Sequence, residues 1–312
     1  MLQLPITSLE FILIFTQLLR ITVFAIASSQ QQYKTYTLTD KAADSLLEVV
    51  PERGGIVTRW SIQGQEILYL DAERFANPDL SVRGGIPILF PICGNLPDNT
   101  YSHNGQQYTL KQHGFARDLP WEVTEQVTQA QASITLVLDS NETTRAVYPF
   151  DFQLAFTYQL QGNQLAIAQR ITNHSTVAMP FSIGLHPYFL VHDKTQLQFT
   201  IPATAYQDQR TKTNHSFTGN FDFEQDEIDA AFRPLNAATA SVRDANRGLQ
   251  LQMSWNDAYY KTFVFWTQKG KDFYCVEPWT APRNALNTGT DLISLEPGAS
   301  LNTLVNMEVI FL

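Results

Sequence analysis

The sequence predicts an all-β fold, a sandwich or a barrel, on three observations. Apolar residues recur at near-alternating spacing from Tyr33 onward, the period of half-buried strands. Gly, Asn, Asp and Pro bound these short runs, as turn chemistry requires. Segments of helical period are almost absent, which argues against a parallel βαβ sheet and disfavours a dinucleotide-binding fold.

Taken in order, residues 1–32 stand apart. Phe11 to Ala27 is the most apolar stretch of the chain, and Ala25-Ile26-Ala27 offers an A-x-A cleavage pattern. Glu10 sits where a signal peptide carries positive charge, and Arg20 interrupts the apolar run. Two readings stand equally: a signal or targeting segment, or a start assigned too far upstream. A membrane helix is disfavoured, because Arg20 near mid-span costs about 2.5–3.5 kcal/mol. Residues 33–312 read as one β domain. Ile56–Ile62 turns through Gln63-Gly64 into Ile67–Leu70, and Phe152–Leu160 turns at Gly162-Asn163 into Leu165–Ile171, both as antiparallel hairpins. Further strands are expected at 133–138, 196–201, 249–255, 262–266, 273–276 and 303–311. The polar stretch 214–229 reads as a surface excursion.

Charge and cysteine content narrow the function. A net charge of −9 without a Lys/Arg run makes nucleic acid a poor partner. The two cysteines, Cys93 and Cys275, have no CxxC spacing, so a disulfide scaffold or structural zinc is not expected, and both read as buried thiols. There is no HExxH, GxSxG or Walker loop, and the histidines are scattered. No metal or cofactor is expected.

Four segments interrupt the strand pattern with polar groups. Arg83-Gly84-Gly85-Ile86-Pro87-Ile88-Leu89-Phe90-Pro91 dictates a rigid irregular backbone; Arg83 either serves a ligand or is solvated. His113-Gly114-Phe115-Ala116-Arg117 sets an imidazole and a guanidinium close together, suited to a sugar hydroxyl or a phosphate oxygen, with an incidental surface loop as the alternative. Gly184-Leu185-His186-Pro187-Tyr188-Phe189 places a histidine beside aromatic walls, where it is either an acid for a sugar or a satisfied core residue. Tyr274-Cys275-Val276-Glu277-Pro278-Trp279 embeds a carboxylate in an apolar strand end. Glu277 must pair with a cation, Arg283 being the candidate, or be kept for proton transfer.

In this order RGGIPILFP, HGFAR, GLHPYF and CVEPW resemble the aldose 1-epimerase (galactose mutarotase) family, in particular its hexose-6-phosphate mutarotase-like branch. The resemblance runs from about Leu46 to Phe311 and implies a large twisted antiparallel β-sandwich, the galactose mutarotase-like supersandwich. It implies that His186 is the general acid and Glu277 the general base. It further implies that His113, Arg83 and Arg117 contact the sugar or its 6-phosphate, and that Asp229 matches a sugar-binding aspartate despite a poor local match. The implied activity is cofactor-independent interconversion of the α and β anomers of a hexose or hexose 6-phosphate. The competing reading is a non-catalytic carbohydrate-binding protein using the same cleft. A cytoplasmic protein is expected, or an exported one if residues 1–32 are a cleaved signal. The sequence carries no signal for an oligomeric state.

Overall fold

In the computed structural model, which describes residues 23–312, two eight-stranded sheets face each other across an aromatic core. The first runs in the order Leu197–Thr200, Thr239–Asp244, Leu249–Trp255, Ser300–Phe311, Gln164–Asn173, Phe152–Gln161, Ala132–Asp139, Glu122–Val127. The second runs Asn214–Ser216, Ala205–Asp208, Glu227–Phe232, Thr262–Gln268, Phe273–Trp279, Gly184–Leu185, Ile88–Leu89, with Tyr188–Leu190 also paired to Phe273–Trp279. Neighbouring strands are antiparallel throughout, so the expected antiparallel β-sandwich is the fold. Alternation explains the packing. Phe263, Phe265, Tyr274 and Val276 point into the core, where Phe263 stacks on Trp255 at 5.0 Å and Phe265 meets Phe199 at 5.0 Å from the opposite sheet.

Both expected hairpins form. Phe152–Gln161 pairs with Gln164–Asn173 from Phe152↔Asn173 to Gln161↔Gln164, with Gly162 at φ 59 in the turn. At the other hairpin Gln63 and Gly64 both have positive φ, 50 and 74, the geometry of a type I′ turn. Its return strand is only Gln65–Glu66, not Ile67–Leu70. The reason is a change of partner: Tyr69 donates to the Tyr188 carbonyl and Leu190 to the Ile67 carbonyl, so this segment leaves the hairpin for the sheet that carries His186.

Two further expectations are revised. Among the described residues strand structure begins at Phe24, ahead of Tyr33: Phe24–Gln30 pairs in full with Lys34–Asp40, and Phe24 and Ile26 pack on the core. Residues 11–22 of the apolar stretch lie outside the described residues. The polar stretch after Asn214 is no simple excursion, since Asn214–Ser216 is an edge strand and Phe221 stacks on Phe265 at 4.1 Å. Its phenylalanines are spaced too irregularly for period alone to expose them. Among the described residues no helix is long and apolar enough to cross a membrane.

Candidate active site

The outward face of the second sheet carries the polar residues. On Phe273–Trp279 the alternate positions Cys275, Glu277 and Trp279 point away from the core, as Trp266 and Gln268 do on the adjacent strand and Glu227 and Asp229 on the next. His186 reaches the same face by register. The pairs Gly184↔Trp279 and Tyr188↔Cys275 lie on one antiparallel register, which sets His186 opposite Glu277.

The glycine-rich segment after Arg83 is the template for this histidine. Gly184 pairs with Leu89 and Leu185 with Ile88; His186 then donates to the Pro87 carbonyl at 3.0 Å and Tyr188 to the Gly85 carbonyl at 2.9 Å. Gly85 is needed for this: at φ 61, a Cβ there would lie 2.1 Å from the Val57 carbonyl oxygen. Pro87 offers only its carbonyl, which is the group His186 uses.

A cleft of about 300 Å³ opens on this face, and all six residues expected from the sequence line it: Arg83, His113, Arg117, His186, Asp229 and Glu277. His186 Nε2 lies 3.4 Å from Glu277 Oε1, and the two residues are 7% and 1% exposed. The imidazole stacks on Tyr188 at 4.7 Å, and Trp279 Nε1 donates to Glu277 Oε2 at 3.1 Å. Burial pushes the His186 imidazolium down to about 3, helped by the Arg117 charge. Burial likewise raises the Glu277 carboxyl well above its ordinary range, with Asp229 adding repulsion. Both effects favour a neutral pair holding one proton, on Glu277 in the free protein.

His113 is also buried, and its tautomer follows from its partners. Its backbone N–H donates to the Gly94 carbonyl at 2.7 Å, while the Gly94 N–H donates to Nδ1 at 3.0 Å. A neutral ring that accepts at Nδ1 carries its proton on Nε2, which lies 3.3 Å from the Gln112 side-chain amide. Burial holds His113 well below the ordinary histidine pKa, so it presents a neutral N–H donor. Its ring meets those of His186 at 5.4 Å and Trp279 at 5.6 Å.

The cations are differently placed. Arg83 donates to Gln268 Oε1 at 3.0 Å and lies 6.0 Å from the Trp266 ring; Arg117 donates to the Gln112 carbonyl at 2.9 Å. Both charges bear on Tyr188, the aromatic under His186. Arg283 does not pair with Glu277. It donates to Asp229 Oδ2 at 2.7 Å and Asn95 Oδ1 at 3.0 Å, with its guanidinium 5.6 Å from the Trp279 ring. Glu277 is therefore left with His186 and Trp279 as partners, and Asp229 is paired with Arg283.

Several cleft residues escape sequence reasoning, among them Trp266, Gln268 and Glu227, whose carboxylate accepts from Trp266 Nε1 at 2.6 Å. A signal existed: with 262–266 and 273–276 read as a hairpin, alternation places Trp266 on the same face as Cys275. Sequence spacing also misses a cluster, since donor atoms of His186, Cys275 and Glu277 all lie within 4.8 Å of one another. Cys93 and Cys275 are free and buried, as expected.

Four buried polar atoms on cleft residues lack a partner among the described residues: Arg117 Nε, His186 Nδ1, Asp229 Oδ1 and Arg283 Nε. Unmet buried groups beside a neutral proton-sharing pair suit a polar, uncharged-to-anionic ligand such as a sugar or sugar phosphate.

Comparison with known proteins identifies the family. A family model described as "Aldose 1-epimerase" matches residues 34–308. The chain is 28% identical over 249 residues to a Cenchrus ciliaris protein named "Putative glucose-6-phosphate 1-epimerase", covering 72% of each chain. It is 26% identical over 237 residues to the plasmid LacX protein of Lactococcus lactis subsp. lactis, covering 67% of this chain and 78% of LacX. Among solved structures, the Slr1438 protein from Synechocystis sp. PCC 6803 superposes with a TM-score of 0.89 at 48% identity, over 92% of this chain and 99% of that one. A galactose mutarotase-like protein from Clostridium acetobutylicum shares the fold, with a TM-score of 0.77 at 21% identity over 93% of this chain and 99% of its own.

Proposed function

This chain belongs to the aldose 1-epimerase family and is an isomerase, and on that premise we propose that it interconverts the α and β anomers of a hexose 6-phosphate, or of the free hexose, at the His186–Glu277 pair. The observation that carries this reading is the 3.4 Å approach of His186 Nε2 to Glu277 Oε1 on the floor of the cleft. Arg83 and Arg117 are the groups for the phosphate or the hydroxyls, and the name of the Cenchrus ciliaris relative favours the phosphate. A phosphosugar substrate would place the protein in the cytoplasm.

Glu277 takes the proton of the anomeric hydroxyl while His186 gives one to the ring oxygen. The bond from C1 to the ring oxygen breaks, and C1 becomes an aldehyde. The Nε2–H of His113 polarises the sugar near its ring oxygen. Rotation about C1–C2 presents the other carbonyl face, and re-closure returns both protons with the opposite configuration. The pair carries one proton throughout, so the protein ends as it began. With that proton resting on Glu277, the free site matches the open-chain intermediate; ring opening needs the proton on His186 first. General acid and general base contribute about 10²–10⁴-fold each.

The test is a coupled mutarotation assay on freshly dissolved α-glucose, α-galactose and α-glucose 6-phosphate, with wild type, Glu277→Gln and His186→Asn. Acceleration by wild type that both variants lose supports the assignment. Binding of a sugar by calorimetry without any acceleration would replace it with a carbohydrate-binding protein.

A further inference from the structure

We propose that His186, Cys275 and Glu277 form a site for one borderline-soft divalent cation of the Zn²⁺ type, whose binding shuts off the proton-transferring pair. The inhibitory effect rests on the mutarotase reading; the site itself does not.

Three features carry the proposal. Cys275 and Glu277 are alternate residues of one strand and so share a face, and the Tyr188↔Cys275 register brings His186 against them. Their donor atoms lie within 4.8 Å of one another, wider than the roughly 3.3–3.8 Å between ligands of a tetrahedral ion, so binding draws the three side chains together by up to about 1 Å. The donor set is one imidazole nitrogen, one thiol sulfur and one carboxylate oxygen, a mixture that selects Zn²⁺ or Co²⁺ over Mg²⁺ or Ca²⁺.

Charge fits as well. Metal binding removes the thiol and carboxyl protons, and a thiolate, a carboxylate and a neutral imidazole then balance a 2+ ion, leaving the buried cluster neutral. Because the thiol and carboxyl must lose their protons to ligate, proton release accompanies binding and affinity rises with pH. Three protein donors leave the fourth position free for water on the cleft side, where His186 and Glu277 are reached. An ion there takes the lone pair of His186 and the oxygens of Glu277, the atoms that move protons in the proposed reaction.

Zn²⁺ is titrated into the full chain by calorimetry, Co²⁺ is added with absorption recorded, and mutarotation is followed with and without EDTA. Cys275→Ala and Cys275→Ser are measured alongside, with their melting temperatures as a check on folding. The expected result is one ion per chain, a thiolate-to-cobalt charge-transfer band, and inhibition reversed by EDTA. Either cysteine variant should retain mutarotation, lose the band and bind Zn²⁺ roughly 100-fold more weakly. Equal Zn²⁺ affinity in wild type and both variants, or no Zn²⁺ binding to wild type, overturns the site. A thiolate–cobalt band in a protein that never accelerates mutarotation supports the site and counts against the mutarotase reading alone.

Discussion

Trp279 donates its indole N–H to Glu277 Oε2 at 3.1 Å from two positions along the same strand face, so the carboxyl carries its own hydrogen-bond donor into the cleft. That donor favours the carboxylate and opposes the larger effect of burial. Trp279→Phe removes it while keeping an aromatic ring. The Glu277 pKa should rise further, and the alkaline limb of the rate profile should move up by on the order of 1 pH unit, the value of one hydrogen bond to a charged group. An unmoved limb, measured as kcat/KM against pH, would show that the indole has no influence on the base.

The pH profile of wild type follows from the shared proton. The competent pair holds one proton, so activity falls where His186 and Glu277 are both protonated and where both are bare. With His186 lowered to about 3, the acid limb lies well below the ordinary histidine range. The alkaline limb follows the raised Glu277 carboxyl. Mutarotation assayed from acid to neutral pH should therefore persist below pH 6; an acid limb near about 6.5 would assign it to an unperturbed histidine instead.

Stability should carry the same signature. Glu277 has a folded pKa above its unfolded one, so its contribution is complete below the unfolded value and is lost as pH rises through the folded value. Glu277→Gln removes that loss. Relative to wild type, the variant should gain melting temperature as pH rises above the ordinary carboxylate range, by scanning calorimetry. A difference independent of pH would mean that the carboxyl titrates normally.

Arg283 holds Asp229 in the wall of the cleft, with both side chains largely buried. Arg283→Gln leaves a buried carboxylate unpaired and should cost on the order of 3 kcal/mol in urea unfolding at neutral pH. Burial already raises the Asp229 pKa, so the cost should shrink as pH falls through the carboxylate range and the group protonates. Adding Asp229→Asn should recover much of the loss; strict additivity would show that the pair is not coupled.

Much of this molecule is legible in its sequence because strand alternation and turn residues are local. Period 2 and the Gln63-Gly64 and Gly162-Asn163 turns identify the hairpins, and the four polar segments name five of the six expected cleft residues before any contact is known, Asp229 coming from the family resemblance alone. What the sequence leaves open is which alternatives those residues take. His113 is read as equally a loop residue, yet its backbone and ring are both bonded to Gly94, nineteen positions away. Arg283 is the cation that the sequence offers to Glu277, yet it turns to Asp229, which comes from two strands across the sheet. Likewise Cys275 reads as an inert thiol until the register of the Tyr188 strand brings His186 beside it. Local pattern determines which face of a strand a residue occupies. Only the pairing of strands remote in sequence determines what that face meets, and here that pairing sets an imidazole, a carboxyl and a thiol together where burial disfavours their charged forms.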